Sequence, residues 1–84
     1  MIVATVTAGD IAAGVRGNRN FCPVALALER ATGERWHVEP TQCTRVIGPP
    51  GARVALPVHV ATFVTLFDAG YPVTPCEFWI DDWE

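Results

Sequence analysis

Apolar residues recur along this chain in two rhythms, and the switch between them marks the elements. Ile2 to Val6 is short, β-branched and alternating, which predicts a first strand with Ile2, Ala4 and Val6 on one face. Val24, Ala27, Leu28 and Ala31 fall instead at i, i+3, i+4 and i+7, one face of a helix that opens at Pro23 and closes at Gly33. Ala25 and Leu26 make its other side apolar as well, so this helix is expected to be buried on most of its circumference, with Glu29 and Arg30 at the water-facing edge. Arg35 to Glu39 alternates again and places Trp36 and Val38 inside. After Pro40 a run from Cys43 to Ile47 meets a turn at Gly48-Pro49-Pro50-Gly51, predicted as type II. Ala52 to Leu56 returns, so a hairpin of Thr44 to Ile47 with Arg53 to Leu56 is expected. Pro57 opens a second long helix as its first helical residue, with Val60, Phe63, Val64 and Phe67 on the core face and Gly70 as its stop. Cys76, Phe78 and Ile80 alternate with Glu77, Trp79 and Asp81 in a last strand.

Shorter signals fill the spaces between. Thr7-Ala8-Gly9-Asp10 has the form of a capping box, in which the Thr7 hydroxyl takes the Asp10 N–H and the Asp10 carboxylate takes the Thr7 N–H. One or two helical turns from Ala8 to Ala13 should follow and stop at Gly14. Gly14 to Asn20 holds two glycines, two arginines and two asparagines, and reads as a loop delivered to the start of the Pro23 helix. Phe21 just before the cap is placed to act as a hydrophobic staple. The predicted architecture is a single α+β domain spanning the 84 residues, a small two-layer fold with about four short strands in an antiparallel or mixed sheet packed by two main helices.

Composition sharpens the picture in two ways. Half of the residues are apolar and only 18% are charged, a greasy balance for so small a domain, and this points to self-association into a homo-oligomer. The formal charge of −3 argues against nucleic-acid backbone binding, which needs a net basic face. Three cysteines, Cys22, Cys43 and Cys76, cannot all pair within one chain, and they fit free thiols in a reducing cytoplasm. No signal-peptide pattern and no apolar run of membrane-spanning length is found, so a soluble cytoplasmic protein without a membrane partner is expected.

Four constellations carry candidate chemistry. The first is an anion site where the loop meets the helix. Amides of Val24 and Ala25 and the positive end of the helix dipole favour a phosphate or carboxylate, Arg16 and Arg19 add charged donors, Asn18 and Asn20 add neutral ones, and Gly17 allows close approach. Phe21 or Trp36 would stack on a base if the ligand were a nucleotide. The competing reading is a polar surface loop whose arginines are solvated or pair with the acidic tail. In the second, Cys22 sits where a helix N-terminus and nearby arginines lower a thiol pKa, though no base is placed beside it and a small buried cap residue is the alternative. A third set, Cys22, Cys43, Cys76, His37 and His59, lacks the close ligand pairs of a metal site, and no cofactor is implied. Finally, Tyr71, Trp79, Asp81, Asp82 and Trp83 form an aromatic and acidic C-terminal edge suited to a protein partner, unless the tryptophans simply pack on the sheet.

The pattern Val6-Thr7-x-x-Asp10-Ile11-x-x-Gly14-x-Arg16-Gly17, followed by Cys22-Pro23-Val24-Ala25-Leu26-Ala27-Leu28, resembles short uncharacterised proteins of actinobacteria and their phages. The lysine-free, Ala/Val/Arg-rich composition is similar to that of proteins from high-GC genomes. The resemblance implies a phage-type binding protein in the host cytoplasm and supplies no catalytic residue. Together these readings predict a non-enzymatic protein that sequesters a nucleotide-like anion at Arg16 to Ala25. The alternative is an inhibitor or adaptor of a host protein that uses the C-terminal edge.

Overall fold

A computed structural model describes residues 2–46 and 53–80. The elements run β1 (Ile2–Val6), α1 (Ala8–Ala13), α2 (Pro23–Thr32), β2 (Trp36–Val38), β3 (Gln42–Arg45), β4 (Val54–Ala55), α3 (Val58–Asp68) and β5 (Cys76–Ile80). This is the small α+β domain the two rhythms predict, with its strands divided between two antiparallel sheets rather than one. β1 pairs with β5, and β2, β3 and β4 form the second sheet. The first and last strands close the chain on itself in the register Ile2↔Ile80 to Val6↔Cys76. Ala4 lies opposite Phe78, so a small side chain leaves room for a fully buried ring. α2 packs against both β1 and β2 and so joins the two sheets through one core. No helix among the described residues is long and apolar enough to cross a membrane.

Local signals explain most boundaries. Thr7 and Asp10 make both bonds of the capping box, Asp10 N–H to Thr7 Oγ1 at 3.1 Å and Thr7 N–H to Asp10 Oδ2 at 2.9 Å. Gly33 ends α2 in the left-handed conformation at φ 74°, where a side chain would be strained. At the end of α3, Tyr71 N–H donates to Leu66 O (2.9 Å) and Gly70 N–H to Phe67 O (3.0 Å), the paired bonds of a Schellman stop with Gly70 at φ 88°.

Several details differ from the sequence pattern. Pro57 is the N-cap of α3 rather than its first helical residue: its ψ of 151° is extended, and its carbonyl accepts from both Val60 and Ala61 at 3.0 Å. β3 begins at Gln42, ahead of the predicted hairpin, and pairs Gln42 with Ala55 and Cys43 with Val54. Ala31 is exposed, because α2 buries Pro23, Val24, Ala25, Ala27 and Leu28 and its last turn leaves the core. Ile47, the turn Gly48 to Gly51, Ala52 and the tail residues Asp81, Asp82, Trp83 and Glu84 lie outside the described residues.

Asp10, 6% exposed, is the one charged residue among the buried described residues. Arg30 of α2 grips it with two bonds, Nη1 to Oδ1 at 2.8 Å and Nη2 to Oδ2 at 2.7 Å, and also reaches the Thr5 carbonyl at 2.6 Å. The clamp ties β1, α1 and α2 together. Arg30 holds the Asp10 carboxyl below the usual carboxylate range, against burial, which pushes the other way. A depressed folded-state pKa contributes stability above the unfolded value of about 3.9 and loses it as pH falls through the folded value. Asp10→Asn places an amide donor against the guanidinium, and is expected to cost about 1.5–3 kcal/mol at neutral pH, the usual worth of a charged hydrogen bond. It should also flatten the decline in stability between about pH 5 and pH 2. Urea titrations of both proteins across that range check this. Parallel acid limbs would rule out Asp10 as their source.

Candidate functional site

The loop from Gly14 to Cys22 is folded on itself and pinned at both ends. Val15 N–H donates to Phe21 O (2.9 Å), Asn20 N–H to Asn18 Oδ1 (2.9 Å), and Val38 N–H of β2 to Arg19 O (2.8 Å). Two further donors reach the C-terminal end of α3. Arg16 Nε donates to Phe67 O at 3.2 Å, with its guanidinium 5.8 Å from the Phe67 ring, and Gly17 N–H donates to Asp68 Oδ1 at 3.0 Å. The last carbonyls of a helix lack intrahelical donors and carry the negative end of its dipole, so an arginine satisfies both needs at once.

This arrangement divides the predicted anion-site residues. Gly17, Asn18, Arg19 and Cys22 line one concavity of about 160 Å³, while Arg16 is turned toward α3. Glu39 and Asp68 line the same concavity, so two acidic residues and one arginine border it. Val24 and Ala25 are buried, and the Ala25 N–H is already donated to Cys22 Sγ at 3.4 Å. The volume is about half the lower end of the range for small-molecule pockets, ~300 Å³. Asn20 is exposed on the outside of the loop.

Cys22 is an N-cap with a buried thiol, the small buried cap residue that its place before Pro23 suggests. Burial pushes its pKa up, outweighing the amides of Ala25 and Val24, and the Asp68 charge acts in the same direction as burial. Trp36 cannot stack on a ligand. It is 1% exposed, its Nε1–H donates to Thr32 Oγ1 at 3.0 Å, and Arg45 covers its ring at 5.1 Å while pairing with Glu34 at 2.6 Å. Phe21 stays exposed with the Arg35 guanidinium 5.7 Å from its ring. No cluster of three metal-ligating side chains occurs among the described residues. His59 Nε2–H donates to the Glu77 carbonyl at 3.3 Å, and His37 lies on β2.

The C-terminal edge presents a different surface. Trp79 is 60% exposed on the outer face of the β1–β5 sheet, and its partner in register is Val3, itself 53% exposed. Thr5 and Glu77 follow as the next pair on the same face. Trp79 also borders an open concavity of about 360 Å³ walled by β4 and Pro57. Tyr71 is exposed at the end of α3. Three features were missed in the sequence: the carboxylates of Glu39 and Asp68 beside the loop, Val3 beneath Trp79, and the exposed Val58 and Leu66 on α3. Val3 had a partial signal, since the same alternation that buries Ala4 and Val6 turns Val3 to the outer face of β1. Glu39 and Asp68 had none, because only the tertiary fold brings them to the loop.

No family model, curated protein or solved structure matches this chain.

Proposed function

We propose that this protein acts by binding a protein partner through the outer face of the β1–β5 sheet, with Trp79 as the anchor. The observation that carries the reading is the indole of Trp79 left 60% exposed against Val3. A large aromatic side chain on a small domain is costly to leave in water, and tryptophan is the residue most enriched at the energetic centres of interfaces. Glu77 beside it favours a partner surface with an apolar pocket rimmed by Lys or Arg. Binding would mask or tether the partner, as an inhibitor or adaptor does, with no chemical step. Sequestration of an anion at Arg16 to Ala25 has less support: Arg16 is committed to the Phe67 carbonyl, and the concavity beside Arg19 is lined by two acidic residues and one arginine.

The test compares three immobilised full-length baits, wild type, Trp79→Glu and Arg19→Glu, exposed to lysate of the source cell. A protein retained in stoichiometric yield by wild type and Arg19→Glu, and lost more than tenfold from Trp79→Glu with its thermal melt unchanged, is the expected result. Retention indifferent to Trp79→Glu would sink the reading. So would a nucleotide mass carried by the native protein and lost in Arg19→Glu, which would restore sequestration.

A further inference from the structure

We propose that the solvent face of α3 is a contact between two copies of this chain, packed antiparallel about a two-fold axis at Thr62. Val58, Thr62 and Leu66 fall at i, i+4 and i+8 and form one ridge along the helix. Val58 is 83% exposed and Leu66 37%. An open apolar groove lies on each side of this ridge. One, about 390 Å³, is walled by Pro40 and Leu56, and the other, about 310 Å³, by Pro72 and Val73; Thr62 and Leu66 border both. A ridge between two grooves is the surface onto which a second helix packs.

Three observations select a second copy as the occupant. Val58 and Leu66 lie four residues to either side of Thr62, so a two-fold axis there sets Val58 of each copy against Leu66 of the other, the self-complementary pairing of an isologous dimer. From Val58 to Phe67 the helix carries no Asp, Glu, Lys or Arg. In a chain of net charge −3, this face therefore lets two copies meet without apposing like charges, while a basic partner would find no counter-charge on it. Asp68 is turned away to the Gly17 N–H, and His59, which borders the Pro72 groove, bonds the Glu77 carbonyl through Nε2. The antiparallel arrangement also sets each helix N-terminus beside the other's C-terminus, the favourable alignment of dipoles. An 11-residue helix is only about 16 Å long, too short alone to supply the ~800 Å² per partner of a stable interface. The groove walls at Pro40 and Leu56 and at Pro72 and Val73 extend the contact on both flanks.

The experiment is sedimentation equilibrium on the full chain and two charge variants, Val58→Glu and Leu66→Lys, alone and mixed. Wild type should sediment at twice 9.1 kDa, and each variant alone at half that mass, because each homodimer would bury two unpaired charges. An equimolar mixture should recover the doubled mass. In the mixed dimer the carboxylate introduced by Val58→Glu in one copy meets the ammonium introduced by Leu66→Lys in the other, beside one intact Val58–Leu66 contact. Thermal melts of the variants confirm a folded monomer, which the exposure of Val58 leads one to expect. A monomeric wild type, variants that remain dimeric, or a mixture that stays monomeric would each overturn the proposal. None of these outcomes bears on the Trp79 face, which is tested separately.

Discussion

Trp36→Ala is expected to remove a large share of the stability of this protein. The indole is 1% exposed and is the largest fully buried side chain among the described residues. Truncating a buried aromatic to alanine costs about 3–5 kcal/mol through lost transfer energy and the cavity left behind. The whole domain of 84 residues has about 4–13 kcal/mol to lose. The substitution also strands polar partners. Thr32 Oγ1 accepts from Trp36 Nε1 and from Glu34 N–H (3.2 Å), and donates to Leu28 O (2.8 Å), so a single hydroxyl joins the last turn of α2 to β2. Arg45, which covers the ring, is the register partner of Trp36 on β3. Trp36→Phe keeps much of the buried area and loses the indole hydrogen bond, and should cost only about 1–2 kcal/mol. Urea unfolding followed by circular dichroism separates the two variants. If Trp36→Ala lost less than about 1 kcal/mol, the ring could not be packed as described, and a role in stacking on a ligand would return.

That contrast shows where the sequence was legible. The alternation that put Trp36 inside was sufficient to place it in the core, and a core position is what denies it to a ligand. Periodicity also located β1, α2, α3 and β5, because each buries one face and the apolar positions must recur at the period of the element. Caps were readable for the same reason, since Thr7, Asp10, Gly33 and Gly70 satisfy backbone groups only a few residues away. What could not be read was which distant groups would meet. Arg16 appeared poised for a ligand because nothing in its own neighbourhood claimed it. Its claimant, the Phe67 carbonyl, lies 51 residues along the chain. The split into two sheets is of the same kind: each strand was visible, while its neighbour was decided by α2 packing between β1 and β2. The Trp79 edge was legible as an aromatic beside acids, but only the β1–β5 register shows that Val3 widens it.

Gly14→Ala is expected to destabilise the protein by about 1–3 kcal/mol, the cost of overpacking, although alanine is ordinarily the safer residue beside a helix. The backbone at Gly14 is extended, at φ −67° and ψ 150°, so no left-handed strain is involved. The obstacle is space. A Cβ there would stand 2.6 Å from both Cδ and Cγ of Pro23 and 3.0 Å from the Asp10 carbonyl. Neither neighbour can yield cheaply. Pro23 is a rigid buried ring at the start of α2, and the Asp10 carbonyl accepts the Gly14 N–H at 2.8 Å in the turn that the Arg30 clamp fixes. Gly9→Ala is the internal control. Its Cβ would meet only Thr7 Oγ1 at 3.6 Å, and inside α1 alanine should gain about 0.5–1 kcal/mol. Two glycine-to-alanine changes five residues apart should thus have opposite signs. Pro23→Ala removes the two ring atoms concerned, so the cost of Gly14→Ala should largely vanish in that background, and a double-mutant cycle by urea unfolding reads the coupling directly. Additive effects in the cycle would mean that the junction of α1 and α2 is not held by this contact.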